Sequence, residues 1–273
     1  MKEFLIRSIT GLIYVLLLVG SLLLHPLAFL GVYLLITLLC MNEFLLLSRK
    51  EGLKPLRIPA ILLVATTFII SFFRHYAELS SLYFILIPAF ILFLYIIELF
   101  RKGKNPFLNL AMIFLGLIYI GLPMALLNEL VYSPYVNGYS SQLLIFLFMV
   151  LWLNDTGAYI IGRVLGRNKL LERISPKKTW EGLAGGLVIA FLVTGFFGRF
   201  FTDIPRTDQW VITLIIVFFG TIGDLVESLW KRSLGIKDSG KVLPGHGGWL
   251  DRLDSILLAV PAVFITVTIL NAI

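Results

Sequence analysis

The sequence predicts an all-α integral membrane protein of about nine transmembrane helices, with its N-terminus in the cytoplasm and its C-terminus outside. Three observations predict it: the composition, the lengths of the apolar runs, and the placement of Lys and Arg along the chain. Of 273 residues, 59% are hydrophobic and 14% are charged, whereas a soluble domain is about half apolar and a quarter charged. A fold of this size in water cannot hide that much apolar side chain, so the solvent is lipid. Cys40 is the single cysteine, which excludes disulfides and cysteine-based metal sites within one protomer.

Each span needs about 20 apolar residues to cross about 30 Å of hydrocarbon. Ile9 to Leu47 is nearly twice that length and turns at His25-Pro26, so it reads as a hairpin of two spans. Lys2 and Arg7 before this run resemble the start of a secretory signal, but no small-residue cleavage site follows, and the run is read as the first span. The next spans are Ile58 to Phe73, Leu82 to Phe100, Phe107 to Leu127, Ser141 to Ile161, Leu183 to Phe201, Trp210 to Trp230 and Leu253 to Ile273. Backbone groups in lipid must be satisfied locally, so all nine are helices. Pro88, Pro123 and Pro261 fall inside spans and are expected to kink them. Five spans over 1–140 are expected to serve as scaffold, and four over 141–273 to form a catalytic region with two polar loops.

The basic residues orient the array. All but three of the 23 Lys and Arg residues fall on one side of the alternation; Arg74, Arg199 and Arg206 fall on the other. Cytoplasmic loops carry the excess of Lys and Arg, so the N-terminus and the loops Gly162 to Gly182 and Lys231 to Arg252 are placed inside.

Ionisable groups within spans are costly and tend to mark function. Asn154-Asp155 lies inside the sixth span, and Asp224 and Glu227 lie near the cytoplasmic end of the eighth. Asp224, Ser228 and Lys231 fall at i, i+4 and i+7 on one helix face, a stripe suited to metal and phosphate at the interface. Asp155 also reads as a buried carboxylate bonded to neighbouring helices, and Glu227 as a partner of Lys231. Beyond this stripe, Pro244-Gly245-His246-Gly247-Gly248 cannot continue a helix and lets backbone N–H groups approach a ligand. Asp251 and Asp254 then open the last span. Asp224 and Asp251, from different helices, form a candidate Mg²⁺ pair.

The order of residues from Ser228 to Asp254 resembles the signature of the phosphatidate cytidylyltransferases, the CDP-diacylglycerol synthases. Ser228-x-x-Lys231-Arg232 is followed after four residues by Lys237-Asp238, then by His246-Gly247-Gly248, Asp251-Arg252 and Asp254. Trp230 and Trp249 stand where aliphatic residues or Phe are expected, which touches no polar position. Asn154-Asp-Thr-Gly-Ala-Tyr159 with Gly162-Arg163, and Ser175-Pro-Lys-Lys-Thr-Trp-Glu-Gly182, are similar to the same family. The resemblance covers the C-terminal half; the N-terminal half matches only as a hydropathy profile.

The resemblance implies attack of the phosphatidic acid phosphate on the α-phosphorus of CTP, with Mg²⁺ as cofactor. The nucleophile belongs to the lipid, so no Ser–His–Asp arrangement is required, and His25, His75 and His246 offer none. Catalysis is then positioning and charge neutralisation. It further implies metal contact by Asp224, Asp251 and Asp155, and phosphate contact by Lys177, Lys178, Lys231, Arg232, Lys237 and Arg252. Asp238 and His246 join the catalytic set, and Ser175, Ser228, Asn154, Gly247 and Gly248 the nucleotide-binding set. The expected partners are CTP, phosphatidic acid and the bilayer, with no nucleic acid, and a homodimer by base rate. The expected location is the inner membrane, with the active site facing the cytoplasm. Two rivals remain at this point: a CTP-dependent polyprenol or phytol kinase, and an ion-coupled transporter that uses Asp155, Asp224 and Glu227.

Overall fold

A computed structural model describes residues 2–240 and 247–272, with side chains from residue 9 onward. Ten α-helices are described: α1 Lys2–Leu24, α2 Pro26–Ser48, α3 Arg57–Tyr76, α4 Leu86–Phe100, α5 Pro106–Gly116, α6 Leu122–Val131, α7 Gln142–Leu165, α8 Trp180–Phe197, α9 Arg206–Ser233 and α10 Leu250–Ala272. Helices α5 and α6 join in one span, Pro106–Val131. Among the described residues, 8 helical segments are long and apolar enough to cross a bilayer, and Ile9–Leu24 of α1 adds a shorter apolar one. The expectation of about nine helical spans is met, and the chain is an all-α multi-pass membrane protein.

The prolines act in three different ways. Pro88 lies within the helical span Ser81–Phe100, in the first turn of α4 after a 3₁₀ turn at Ser81–Ile85, where its missing N–H is tolerated. Pro123 follows a π-helical stretch, Leu117–Gly121, where the ring removes the N–H that would bond the carbonyl four residues earlier. Pro261 lies inside α10.

Contacts divide the chain into two compact units, one of Met1–Glu129 with Leu234–Leu253, the other of Leu130–Ser233 with Asp254–Ile273. In the first, α2 packs on α1, α3 and α5. Its core gathers aromatic rings: Phe29 lies 4.6 Å from Tyr33 and 6.4 Å from Phe68, measured between centroids. Cys40 is buried here as a packing residue. Glu98 of α4 is buried, and it is satisfied by Asn109 Nδ2 at 3.2 Å and Arg101 Nη1 at 3.2 Å. Asn109 also accepts the Lys54 N–H at 2.8 Å, so a single amide ties the turn before α3 to α4 and α5.

In the second unit, glycines let helices approach closely. A Cβ on Gly186 of α8 would sit 2.6 Å from Asn154 Oδ1 and 2.8 Å from the Asn154 carbonyl of α7. One on Gly182 would meet the Ala158 carbonyl at 2.8 Å. Small residues at such interfaces give membrane helices the close packing that lipid cannot drive hydrophobically. Gly223 of α9 does the same against α10, since its Cβ would lie 2.5 Å from the Asp254 carbonyl. Buried Gln209 gathers the α8–α9 connection, its Nε2 reaching the carbonyls of Gly198, Phe201 and Ile204 at 2.9 to 3.0 Å.

The polar stretch between α7 and α8 contains a small β-hairpin, β1 Lys169–Leu171 with β2 Ser175–Thr179, paired Lys169 to Thr179 and Leu171 to Ser175. Glu181 braces it, accepting the Arg167 N–H at 3.1 Å and Asn168 Nδ2 at 2.8 Å. Thr179 closes it by capping α8, its Oγ1 accepting from Gly182 N at 3.1 Å.

Candidate active site

Residues on α7, α8, α9 and the hairpin line a cavity of about 490 Å³ in the second unit, a size that suits a nucleotide-scale ligand. Asn154, Asp155, Lys177, Lys178 and Asp224, all singled out in the sequence, are among its walls. Tyr159, Arg163, Lys169 and Thr221 are there too. Asp155, Tyr159 and Arg163 are spaced four residues apart along α7, which puts them on one face, and Arg163 Nη1 donates to Tyr159 Oη at 3.2 Å. That spacing was readable in the sequence. Lys169, by contrast, carried only a topological signal there.

The hairpin explains why two adjacent lysines differ. Side chains alternate faces along a strand, and Lys178 is partly buried whereas Lys177 is exposed. Lys178 forms an ion pair with Asp224, each side chain about 29% exposed. Ser228 Oγ, one turn along α9, donates to Asp224 Oδ1 at 3.3 Å. Asn154 Nδ2 lies 3.5 Å from Asp155 Oδ1, and Asn154 Oδ1 is buried with no hydrogen-bond partner among the described residues. Asp155 and Asp224 are close enough to repel one another, and Asp254 is within reach of both. The three carboxylates thus share one electrostatic neighbourhood, with Lys178 acting on Asp155 and Lys231 on Asp254 as counter-charges. Lys231 also pairs with buried Glu227 at 3.0 Å, as its sequence spacing suggested.

Other sequence-selected residues are not among this cavity's walls. Ser175 pairs with Leu171 in the hairpin, and Arg232 Nε donates to the Ile174 carbonyl at 3.4 Å. Lys237, Asp238 and Arg252 are exposed. His246 lies outside the described residues. In the first unit, Asp251 accepts the Ser239 N–H on both oxygens, at 3.1 and 2.9 Å, and the Gly248 N–H on Oδ2 at 2.8 Å. The Gly248 N–H is therefore directed to the chain's own carboxylate. Gly247 adopts φ 85°, a backbone that glycine adopts at little cost.

The donor set suits a hard cation. Among the described residues no three His, Cys, Asp or Glu side chains form a ready metal cage. Mg²⁺ asks for less, since it usually takes one or two carboxylates and completes its shell with waters and substrate phosphates. Asp224 and Asp155, with Asp254 in the same electrostatic neighbourhood, offer oxygen donors of that kind.

A model of the cytidylyltransferase family matches residues 5–270. A Staphylococcus epidermidis protein named phosphatidate cytidylyltransferase is 33% identical over 94% of this chain and 96% of its own length. Proteins of the same name from Staphylococcus saprophyticus and Staphylococcus aureus are 40% and 32% identical. The first alignment covers 63% of this chain and 64% of the relative, and the second 83% and 88%. With a family match that runs almost from end to end, the chain belongs to the cytidylyltransferase family.

Proposed function

We propose that this chain transfers the cytidylyl group of CTP to phosphatidate, giving CDP-diacylglycerol and pyrophosphate, at the cytoplasmic face of the inner membrane. The observation that carries the reading is the 33% identity, over 94% of the chain, to a relative named for that activity. The cavity supports it, because basic side chains face carboxylates around a space large enough for a nucleotide. A phosphate oxygen of phosphatidate attacks the CTP α-phosphorus, a new P–O bond forms, and the bond to the bridging oxygen breaks. Pyrophosphate leaves with that electron pair. Residues 141–273 carry this chemistry and 1–140 serve chiefly as scaffold.

The chain's part is to bring two polyanions together and hold them. Lys178 and Lys177 meet phosphate oxygens from β2, with Arg163 and Lys169 on the same cavity wall. Lys231, Arg232, Lys237 and Arg252 are the further proposed phosphate contacts. Ser228, Asn154, Ser175, Gly247 and Gly248 contribute polar contacts to the nucleotide, with His246 and Asp238 in the adjoining signature. Asp224 with Asp155, and Asp254 beside them, would offer Mg²⁺ the one or two carboxylates that it usually takes. Asp254 is proposed beside Asp224 and Asp155 because it lies in the same unit as they do; Asp251, proposed from the sequence, accepts three hydrogen bonds from the N–H groups of Ser239 and Gly248. The cation, when bound, supplies positive charge to the triphosphate and the departing pyrophosphate.

The cytoplasmic orientation rests on the one-sided distribution of Lys and Arg. One experiment tests reaction and orientation together. Sealed membrane vesicles holding the protein receive labelled CTP from outside. Inside-out vesicles are expected to make labelled CDP-diacylglycerol and release pyrophosphate, while right-side-out vesicles stay inactive until permeabilised. Release of CDP with a phosphorylated lipid alcohol would instead identify a kinase. Activity confined to right-side-out vesicles would reverse the orientation.

A further inference from the structure

We infer that Glu43, in the middle of the N-terminal spans, is a positioning residue for the nucleotidyl transfer. It clasps the two stretches of chain on either side of 241–246. Glu43 lies on α2 and is 6% exposed. Its Oε2 accepts Ser239 Oγ at 3.3 Å and the Leu250 N–H at 3.0 Å, and its Oε1 accepts the Trp249 N–H at 3.0 Å. Burying a carboxylate is expensive unless its oxygens are satisfied, and here the donors come from the far end of the sequence. Two of them open α10, where the helix N-terminus favours negative charge.

Glycines flanking 241–246 leave room for this carboxylate. A Cβ on Gly240 would fall 2.9 Å from Glu43 Oε1, and one on Gly248 would fall 2.5 Å from Oε2 and collide with Ser239 Oγ. Any side chain at either position therefore pushes the chain off Glu43. Ser239 joins this clasp to a second one, since its hydroxyl donates to Glu43 while its N–H donates to Asp251. Lys237-Asp238 directly precede the clasped Ser239, and Asp251-Arg252 directly follow the clasped Leu250. Glu43 thereby fixes where those signature residues stand relative to one another. This inference rests on the proposal that Lys237 and Arg252 meet the substrate phosphates. Misplacing such groups by about 1 Å costs about 100-fold in rate.

The test uses the full chain in detergent or vesicles. Glu43→Gln keeps the shape but turns an amide NH₂ toward backbone donors. It is expected to lower kcat about 100-fold, with KM for phosphatidate within about twofold. Trypsin is expected to cut after exposed Lys237 at least about tenfold faster in this variant. Ser239→Ala removes one of the three contacts; it should cost several-fold alone and little more on top of Glu43→Gln, as expected of residues sharing one interaction. Glu98→Gln, which disturbs a buried carboxylate elsewhere in the same unit, serves as the control for general loosening and should leave kcat and the Lys237 cut unchanged. An unchanged kcat and unchanged cleavage in Glu43→Gln would overturn the inference. So would an equal loss in Glu98→Gln, or a fall in kcat without faster cleavage. Faster cleavage with unchanged kcat would show that Glu43 holds the segment but that the segment does not serve the reaction. That outcome removes the positioning role and also the phosphate-contact proposal on which it stands.

Discussion

Two polar regions of this molecule keep their carboxylates in opposite ways. Around the cavity, Asp224 faces the ammonium of Lys178 and a serine hydroxyl, and it shares its surroundings with Asp155 and Asp254. Beside α10, and among the described residues, Glu43 and Asp251 accept five hydrogen bonds from four backbone N–H groups, and Glu43 also accepts the Ser239 hydroxyl. A flexible side-chain partner can turn to a phosphate when one arrives, leaving its carboxylate for a cation. A backbone N–H cannot leave without unfolding its segment. The difference separates carboxylates suited to exchange partners during a reaction from those suited to hold a segment still.

The lysines give the largest expected effect. Lys178→Met leaves Asp224 without its ion-pair partner and removes a proposed phosphate contact, so kcat should fall about 100-fold or more. If Lys178→Met keeps near-normal turnover, the carboxylates around the cavity are not exchanging partners and the contrast fails. The neighbouring Lys177→Gln should cost only several-fold. Much of that loss should vanish at high salt, because exposed charges are screened beyond about 8 Å at physiological ionic strength. Equal, salt-independent losses at both positions would contradict the alternation of faces along β2.

Gly186→Val probes how the cavity is built. The new side chain must push Asn154 and part α7 from α8, and overpacking of this kind costs about 1–3 kcal/mol. A lower thermal midpoint in detergent is expected, with a modest loss of activity through the displaced Asn154. An unchanged midpoint would show that this helix pair tolerates separation.

Much of this was legible in the sequence, for identifiable reasons. The spans were, because backbone in lipid must bond to itself and the apolar runs have helical length. Asp155, Asp224 and the Lys177-Lys178 pair were, because charge in or beside a span is expensive. The hairpin was not: strands of 3 and 5 residues carry too little alternation to register. Asp254 stood in the signature, but its place beside Asp224 depends on the close approach of α9 and α10 at Gly223. Glu43 was the largest omission. Its partner Ser239 is 196 residues away, so no local pattern announces the contact. A signal was nonetheless present, since Glu43 is a charge set within the apolar run from Ile9 to Leu47.

The most direct test of the contrast is a Mg²⁺ titration of activity in Asp224→Asn and Asp251→Asn, each checked for folding. Removing a cation-holding carboxylate should raise the Mg²⁺ concentration for half-maximal rate at least about tenfold, as well as lowering the maximal rate. Removing a segment-holding one should lower the maximal rate and leave the Mg²⁺ requirement within about twofold of wild type. The account predicts the first pattern for Asp224 and the second for Asp251. A raised Mg²⁺ requirement in Asp251→Asn, with an unchanged one in Asp224→Asn, would contradict it.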